Sequence, residues 1–332
     1  MKTRLISCIS ALALCASVPA AAQTVMKFGT ATINDVQHEW LKRFADRMAK
    51  QSAGKVKVEV YPAEQLGSNP RMLEGITLGT IEGVNGPPEF MVGVDPRFQV
   101  TGAPGLTKDM EHAVRLSLDP KFREGLFSWG ESKGIMGIGV VVYGSAVYAT
   151  RKPIRSLADF KGMKIRVLAS PMQTVPMDKI GATGVPMVPS EAMQAIASGA
   201  IDGNRSGITL FITFKYYDII KDITRVDGDG TVYSMTYVGK KWFDGLPKDV
   251  QKLVLDTATA LDPELNQYSV EANNRAESEW KAHKGQVHHI TGADQVEFQK
   301  RMRAAGEEVV QKNPRIKEAY ALMAERAKAT AR

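Results

Sequence analysis

The side chain with the clearest chemical capacity in this sequence is Arg166. It lies in Lys164-Ile165-Arg166-Val167-Leu168, a short segment whose alternation predicts a β-strand. A guanidinium presents a planar fork that grips both oxygens of a carboxylate and stays charged at any relevant pH. From the residues alone, Arg166 is either the anchor of an anion site or a surface arginine on an edge strand. Enzymatic constellations are harder to find. His38-Glu39-Trp40 has no second histidine at the spacing a zinc helix needs. His288 and His289 are neighbours on a predicted strand, so their side chains leave opposite faces and cannot share one metal. The sequence has no Gly-x-Ser-x-Gly elbow, no Walker loop and no Gly-x-Gly-x-x-Gly after a strand. A hydrolase assembled from scattered Asp and Glu stays open at this point. No cofactor is expected.

These residues must be positioned by an alternating α/β chain. Val25–Gly29 predicts a strand. His38–Lys50 predicts a helix with Trp40, Leu41, Phe44 and Met48 on one face, and Val56–Val60 the next strand. A β-α-β opening of this kind argues for a wound α/β lobe. After the Gly67-Ser68-Asn69-Pro70 turn comes a helix near 71–79. Ile135–Val142 and Val147–Thr150 read as two buried strands. Leu157–Gly162 predicts a short glycine-capped helix, 164–168 a strand, 172–180 a helix and 185–188 a strand. Ser190–Ser198 predicts a helix with a serine N-cap. Pro247–Ala282 has long helical periodicity interrupted at Pro263, then comes a strand at 286–290 and two charged helices.

The first residues speak to compartment. Lys2 and Arg4 precede an apolar run, Leu5–Val18, too short for a spanning helix of about 20 residues. Pro19-Ala20-Ala21-Ala22 supplies small residues for cleavage after Ala22, so residues 1–22 are expected to be a signal peptide. Leu14 before Cys15 is too bulky for a lipid-modification site. Cys8 and Cys15 both fall inside this segment, so the mature chain carries no thiol chemistry. The formal charge of +7 is scattered among acids rather than clustered with aromatics, which argues against nucleic-acid binding. A secreted, periplasmic protein is the expectation.

Several fragments carry a resemblance. Tyr61-Pro62-Ala63-Glu64-Gln65-Leu66-Gly67 stands early in the chain. Leu157-Ala158-Asp159-Phe160-Lys161-Gly162-Met163-Lys164-Ile165-Arg166-Val167 stands at its centre. Then follow Gly181-Ala182-Thr183, Val185-Pro186-Met187, Ser190-Glu191-Ala192-Met193-Gln194-Ala195-Ile196 and Gly199-Ala200-Ile201-Asp202-Gly203. In order and spacing they resemble the solute-binding subunits of tripartite ATP-independent periplasmic (TRAP) transporters, of the DctP type, over nearly the whole mature chain. The resemblance implies an α/β type II periplasmic-binding-protein fold, two lobes joined by crossing strands and a long spanning helix. Lobe I would comprise 23–146 plus about 231–275, and lobe II 147–230 plus about 276–332. It implies a monomer that binds a small organic acid between the lobes, closes, and hands it to small and large TRAP membrane subunits for ion-gradient-driven uptake. A receptor for an ATP-driven transporter, or a ligand sensor, is the rival reading.

The resemblance also assigns residues. Arg166 matches the family's ligand-binding arginine. A second arginine usual near Ser145-Ala146-Val147 is missing. Where Gln-Glu-Asn is usual, this chain has Asn204-Arg205-Ser206. Arg205 therefore either restores the missing positive charge or turns to solvent or to an internal acid, and Ser206 would replace an amide contact. Asn34 and His38 follow the first strand as ligand contacts or helix caps. Asn85, Glu89 and Phe90 lie in a rigid diproline loop where the family lines its pocket. Tyr148, Met187, Phe211 and Tyr233 are either pocket walls or core. Glu191, in a predicted first helical turn, reads as structural.

Overall fold

The computed structural model describes residues 23–331; the expected signal peptide, with Cys8 and Cys15, lies outside them. The chain opens with β1 (Thr24–Thr30), α1 (Val36–Gln51), β2 (Val56–Tyr61), α2 (Asn69–Leu78) and β3 (Gly83–Gly86). β1 lies between β2 and β3, parallel to both. The apolar stripe anticipated for α1 is buried: Trp40, Leu41, Phe44 and Met48 are inaccessible, and Phe44 stacks on both Phe28 and Trp40. Helices α3 (Met110–Ser117) and α4 (Pro120–Ser128) lead to β4 (Ile135–Thr150).

β4 corrects the expectation of two strands. It is one 16-residue strand with irregular register between Gly137 and Gly139 and between Val142 and Gly144. Bulges let a strand bend without ending. Its first part pairs with β9 (Thr231–Gly239) as far as Ser145. From Ala146 onward it pairs with β7 (Gly203–Gly207), and from Val147 with β8 (Asp222–Arg225). One strand thus belongs to two sheets, which meet at Ser145–Ala146. The first sheet runs β2-β1-β3-β9-β4. The second continues through β7 to β5 (Lys164–Val167) and β6 (Thr183–Pro186), with β8 and β10 (Gln286–His289) alongside. This is the two-lobed α/β arrangement that the resemblance implied.

Between these strands run α5 (Pro171–Lys179), α6 (Pro189–Ala197) and α7 (Ile208–Thr213); the segment expected as a helix at 157–162 is a single 3-10 turn. Helix α6 starts on Pro189, a favoured first position, so Ser190 is not its cap, and Glu191 is exposed in its first turn. After the short α8 (Lys240–Asp244) comes α9 (Lys248–Ala282), unbroken for 35 residues. Pro263 does not interrupt it. Both Pro263 and Thr259, whose carbonyl loses its helical donor, face solvent, so water serves that carbonyl.

The buried face of α9 lies along β4. Asp262 accepts from Trp40 Nε1 (2.9 Å), Arg123 Nη1 (2.6 Å) and the Val140 amide (2.9 Å). Close approach needs glycine at two points. A Cβ on Gly139 would sit 2.8 Å from Trp40 and 3.0 Å from Asp262, and one on Gly144 would sit 2.5 Å from Asn273. Asp262→Ala strands the Arg123 cation and two buried donors. It is expected to cost about 3–5 kcal/mol, measured as a lower urea midpoint with unchanged slope.

The chain ends with α10 (Gly292–Gln311) and α11 (Pro314–Thr330). α10 packs on α5, with Phe298 against Phe160 and Tyr148. α11 packs on α3, α4 and the 96–102 turn, its Ile316, Ala319 and Met323 joining the core beside the first sheet. The resemblance groups all of 276–332 in lobe II; α11 packs on the outer helices of the first sheet as well as on α10.

Candidate functional site

The carboxyl ends of the parallel strands β1 and β3 face those of β5 and β6 and the end of β7, the place where open α/β sheets bind ligands. An enclosed space of about 10 Å³ lies there, lined by Thr32, Gln37, Pro87 and Tyr143 from one side and by Leu168, Pro189, Ser206 and Leu210 from the other. That is room for about one water. The lobes are closed over it. Gln173 Nε2 donates to Glu89 Oε1 (3.4 Å) and Thr213 Oγ1 to the Ile33 carbonyl (3.2 Å), both across the junction.

Arg166 is wholly buried on β5. Register sets it beside Asn204 of β7, so both side chains leave the same face of the sheet. Its Nε donates to the Met187 carbonyl (2.8 Å) and its Nη1 to Asn204 Oδ1 (3.4 Å), while Asn204 Nδ2 donates to the Tyr216 hydroxyl (2.8 Å). Nη2 finds no acceptor among the described residues. Burial draws the pKa of Arg166 down to about 10, against the pull of Tyr216, Glu89 and Tyr143, so it remains a cation at neutral pH. A charge taken out of water with one N–H pair unused is a site that favours an anion.

Arg205 does something else. One residue along β7 from Asn204, its side chain leaves the opposite face, beside Tyr148 of β4. Its Nε pairs with Asp229 Oδ2 at 2.8 Å, with both groups almost inaccessible, and its Nη1 donates to Gln173 Oε1. Burial alone would depress its pKa, but Asp229 and Tyr148 hold it above its ordinary value. Of the two readings of this arginine, the internal acid holds: its charge is matched by Asp229. Arg205→Ala leaves Asp229 buried and unpaired. It is expected to lower stability by about 3–5 kcal/mol, read by denaturant unfolding.

Glu89 closes the arrangement. It follows Pro87 and Pro88 and is inaccessible. Burial pushes its carboxyl up to about 7; its own amide, Arg205, Gln173 and Arg166 pull the other way. Oε2 has no donor among the described residues, and neither do the hydroxyls of Tyr233 and Tyr237, whose pKa values are raised by burial and then by Glu89. A chain of side chains therefore runs Glu89–Gln173–Arg205–Asp229 from the first sheet's loops to the loop that begins β9.

Residues 28–313 match the DctP family, bacterial extracellular solute-binding protein family 7. The chain belongs to that family. It is 30% identical over 310 residues to the C4-dicarboxylate-binding periplasmic protein DctP of Rhodobacter capsulatus, covering 91% of this chain and 89% of that one. In structure it is similar to a TRAP periplasmic solute-binding protein from Desulfovibrio salexigens with bound orotic acid (TM-score 0.87, 23% identity, 93% of this chain and 100% of the other). It is equally similar to the sugar-acid-binding protein DctPAm of Advenella mimigardefordensis in complex with galactonate (TM-score 0.87, 21% identity, 93% and 99%). The DctP family is one of solute-binding receptors, not enzymes. No helix among the described residues is long and apolar enough to cross a membrane.

In this DctP-family chain the remaining candidate residues divide sharply. Ser206 lines the enclosed space, and Met187 contributes its carbonyl to Arg166. Phe90 is half-buried between two core clusters. The other six do not line the enclosed space. Phe211 packs on Tyr216 and Trp280 in the core, because α7 turns its apolar face to α9. Tyr148 is held edge-on to Phe160 and Phe298, its ring in the second lobe's core. Asn85 is clamped inside the first sheet, donating to Thr236 Oγ1 (2.8 Å) and accepting from Ser234. Asn34 is exposed at a left-handed φ of 58°, and its amide donates to His38 Nδ1 (3.2 Å), so the two shape the entry to α1. Tyr233 lies deep in the core against Phe122 with its hydroxyl unpaired.

Other residues went unnoticed in the sequence. Asp35 caps α1 through the Gln37 and His38 amides and accepts from the Tyr143 hydroxyl at 2.9 Å. Thr32 and Gln37 flank Asn34 and His38 at the entry to α1, and reading 32–38 as a unit would have found them. Tyr143, inside an apolar run, gives no such signal, and nor do Gln173 and Asp229.

Proposed function

We propose that this chain is the periplasmic receptor of a TRAP transporter, exported by residues 1–22 and binding a small organic acid between its lobes. The single observation behind this reading is Arg166: a buried, charged guanidinium at the strand ends whose Nη2 has no acceptor among the described residues. A ligand carboxylate would take that position, with Asn204 and Met187 holding the fork in orientation and Ser206, Thr32 and Gln37 bonding the rest of the solute. Lobe I would be 23–146 with most of α9 and β9, joined by α11; lobe II would be 147–230 with β10 and α10. The closed monomer would dock on the small and large membrane subunits, which move the acid inward on an ion gradient. The relatives' solutes, a C4-dicarboxylate, orotic acid and galactonate, are all acids.

A thermal-shift screen of residues 23–332 against galactonate, glucuronate, orotate, lactate and succinate tests this. Ligand at about 100 times its Kd adds about 2.7 kcal/mol to the folded state and should raise Tm by several degrees. At least one acid should do so in the wild type and not in Arg166→Ala. A flat response to every carboxylate would overturn the reading.

A further inference from the structure

The charge census of the junction narrows the solute, resting on Arg166 as the carboxylate anchor. We propose that the cleft selects acids with one carboxylate on a hydroxyl-bearing body, and that Glu89 excludes a second carboxylate.

Arg166 and Arg205 are the only arginines or lysines among the described residues that are fully buried. Arg205 is matched by Asp229 and held by Gln173. Arg166, which pairs with no carboxylate among the described residues, is then the one fully buried cation left to meet a ligand through its unpaired Nη2, and one carboxylate satisfies it. A second carboxylate would find no other unmatched buried cation among the described residues. It would meet instead the unpaired Oε2 of Glu89, inaccessible on the loop that carries the cavity-lining Pro87. Asp35 adds a further buried carboxyl, already saturated by two amides and Tyr143. Like charges confined away from water repel strongly.

The neutral groups fit the other half of the solute. Thr32, Gln37 and Ser206 line the space, and the hydroxyls of Ser170 and Thr209 are buried without partners among the described residues. Glu89 Oε2 accepts from a ligand hydroxyl as readily as it repels a ligand anion. A site built of donors and acceptors discriminates against a solute that leaves them unpaired. Thr32 and Gln37 already bond each other, so the groups a lactate-sized acid would leave unpaired are Ser170, Thr209 and Glu89 Oε2, which a polyhydroxy acid could reach.

Skeleton-matched pairs test this directly: gluconate with glucarate, galactonate with galactarate, and 4-hydroxybutyrate with succinate, by titration calorimetry at about pH 8, where Glu89 is ionised. The monoacid of at least one pair should bind ten-fold or more tighter than its diacid, and Glu89→Gln should cut that ratio by ten-fold or more. Should Glu89→Gln fail to fold, as judged by circular dichroism, the wild-type ratios decide alone. A diacid that binds as tightly as its monoacid, with binding abolished by Arg166→Ala, overturns this selection and leaves the receptor reading intact. If no acid in the panel binds, both fall.

Discussion

Arg166→Ala is expected to lower affinity for the bound acid by about two to three orders of magnitude. Removing one partner of a buried, hydrogen-bonded charge pair costs about 3–5 kcal/mol, because the other charge is left without a counterion in a dry site. Here the stranded group would be the solute's carboxylate. Arg166→Lys keeps the charge but not the fork, so one ammonium must replace donors that now reach Met187, Asn204 and the open position. It should retain measurable binding, at least ten-fold weaker than wild type. Titration with the acid that gives the largest thermal shift measures both variants. Their melting curves without solute should stay cooperative, since the lost bonds to Met187 and Asn204 cost only about 1–3 kcal/mol. Wild-type affinity in Arg166→Ala would place the anion elsewhere.

The second large effect is on stability. Burial moves the carboxyl of Glu89 from an ordinary 4.5 to about 7. Its folded-state value lies above its unfolded one, so the folded state holds the proton more tightly. The resulting stabilisation is complete below about pH 4.5 and is lost as pH rises to about 7. At about 1.4 kcal/mol per pH unit, the loss across that window is about 3 kcal/mol. Glu89→Gln removes the titration. Relative to wild type, the variant should become more stable by about that amount between pH 4.5 and 8, measured by urea unfolding at a series of pH values. The other groups facing Glu89 do not titrate in that window: Arg166, drawn down only to about 10, and Arg205 stay charged, and the raised Tyr233 and Tyr237 stay neutral. Parallel pH curves for the two proteins would show that the carboxyl is better solvated than its inaccessible position implies.

Arg166 and Glu89 differ in how far their roles are local to the sequence. Arg166 stood out in the sequence because its strand, its neighbours and the motif around it are local. The same holds for the stripe of α1, the alternation of β2 and the periodicity of α9, each written into one window of residues. Where local signals misled, the cause was a rule applied without its surroundings. Gly144 and Ser145 interrupt an apolar pattern but not a strand, because β9, β7 and β8 supply hydrogen bonds on both sides of the interruption. Pro263 breaks a helix in isolation, yet the surrounding residues bury Leu261 and Leu265 while the freed carbonyl faces water.

The sequence alone determined the compartment expected, the wound α/β class, the family, and Arg166 as the candidate anchor. Only the tertiary structure decided what the second arginine is for. Whether Arg205 answers a solute or an internal acid depends on Asp229, 24 residues away and brought in by the loop before β9. The same holds for Glu89, whose proton affinity is raised by burial and pulled back in part by Gln173, 84 residues on, from the other lobe. Charge pairing and desolvation are properties of distance in space, and a chain that crosses between two lobes repeatedly makes those distances independent of separation in sequence.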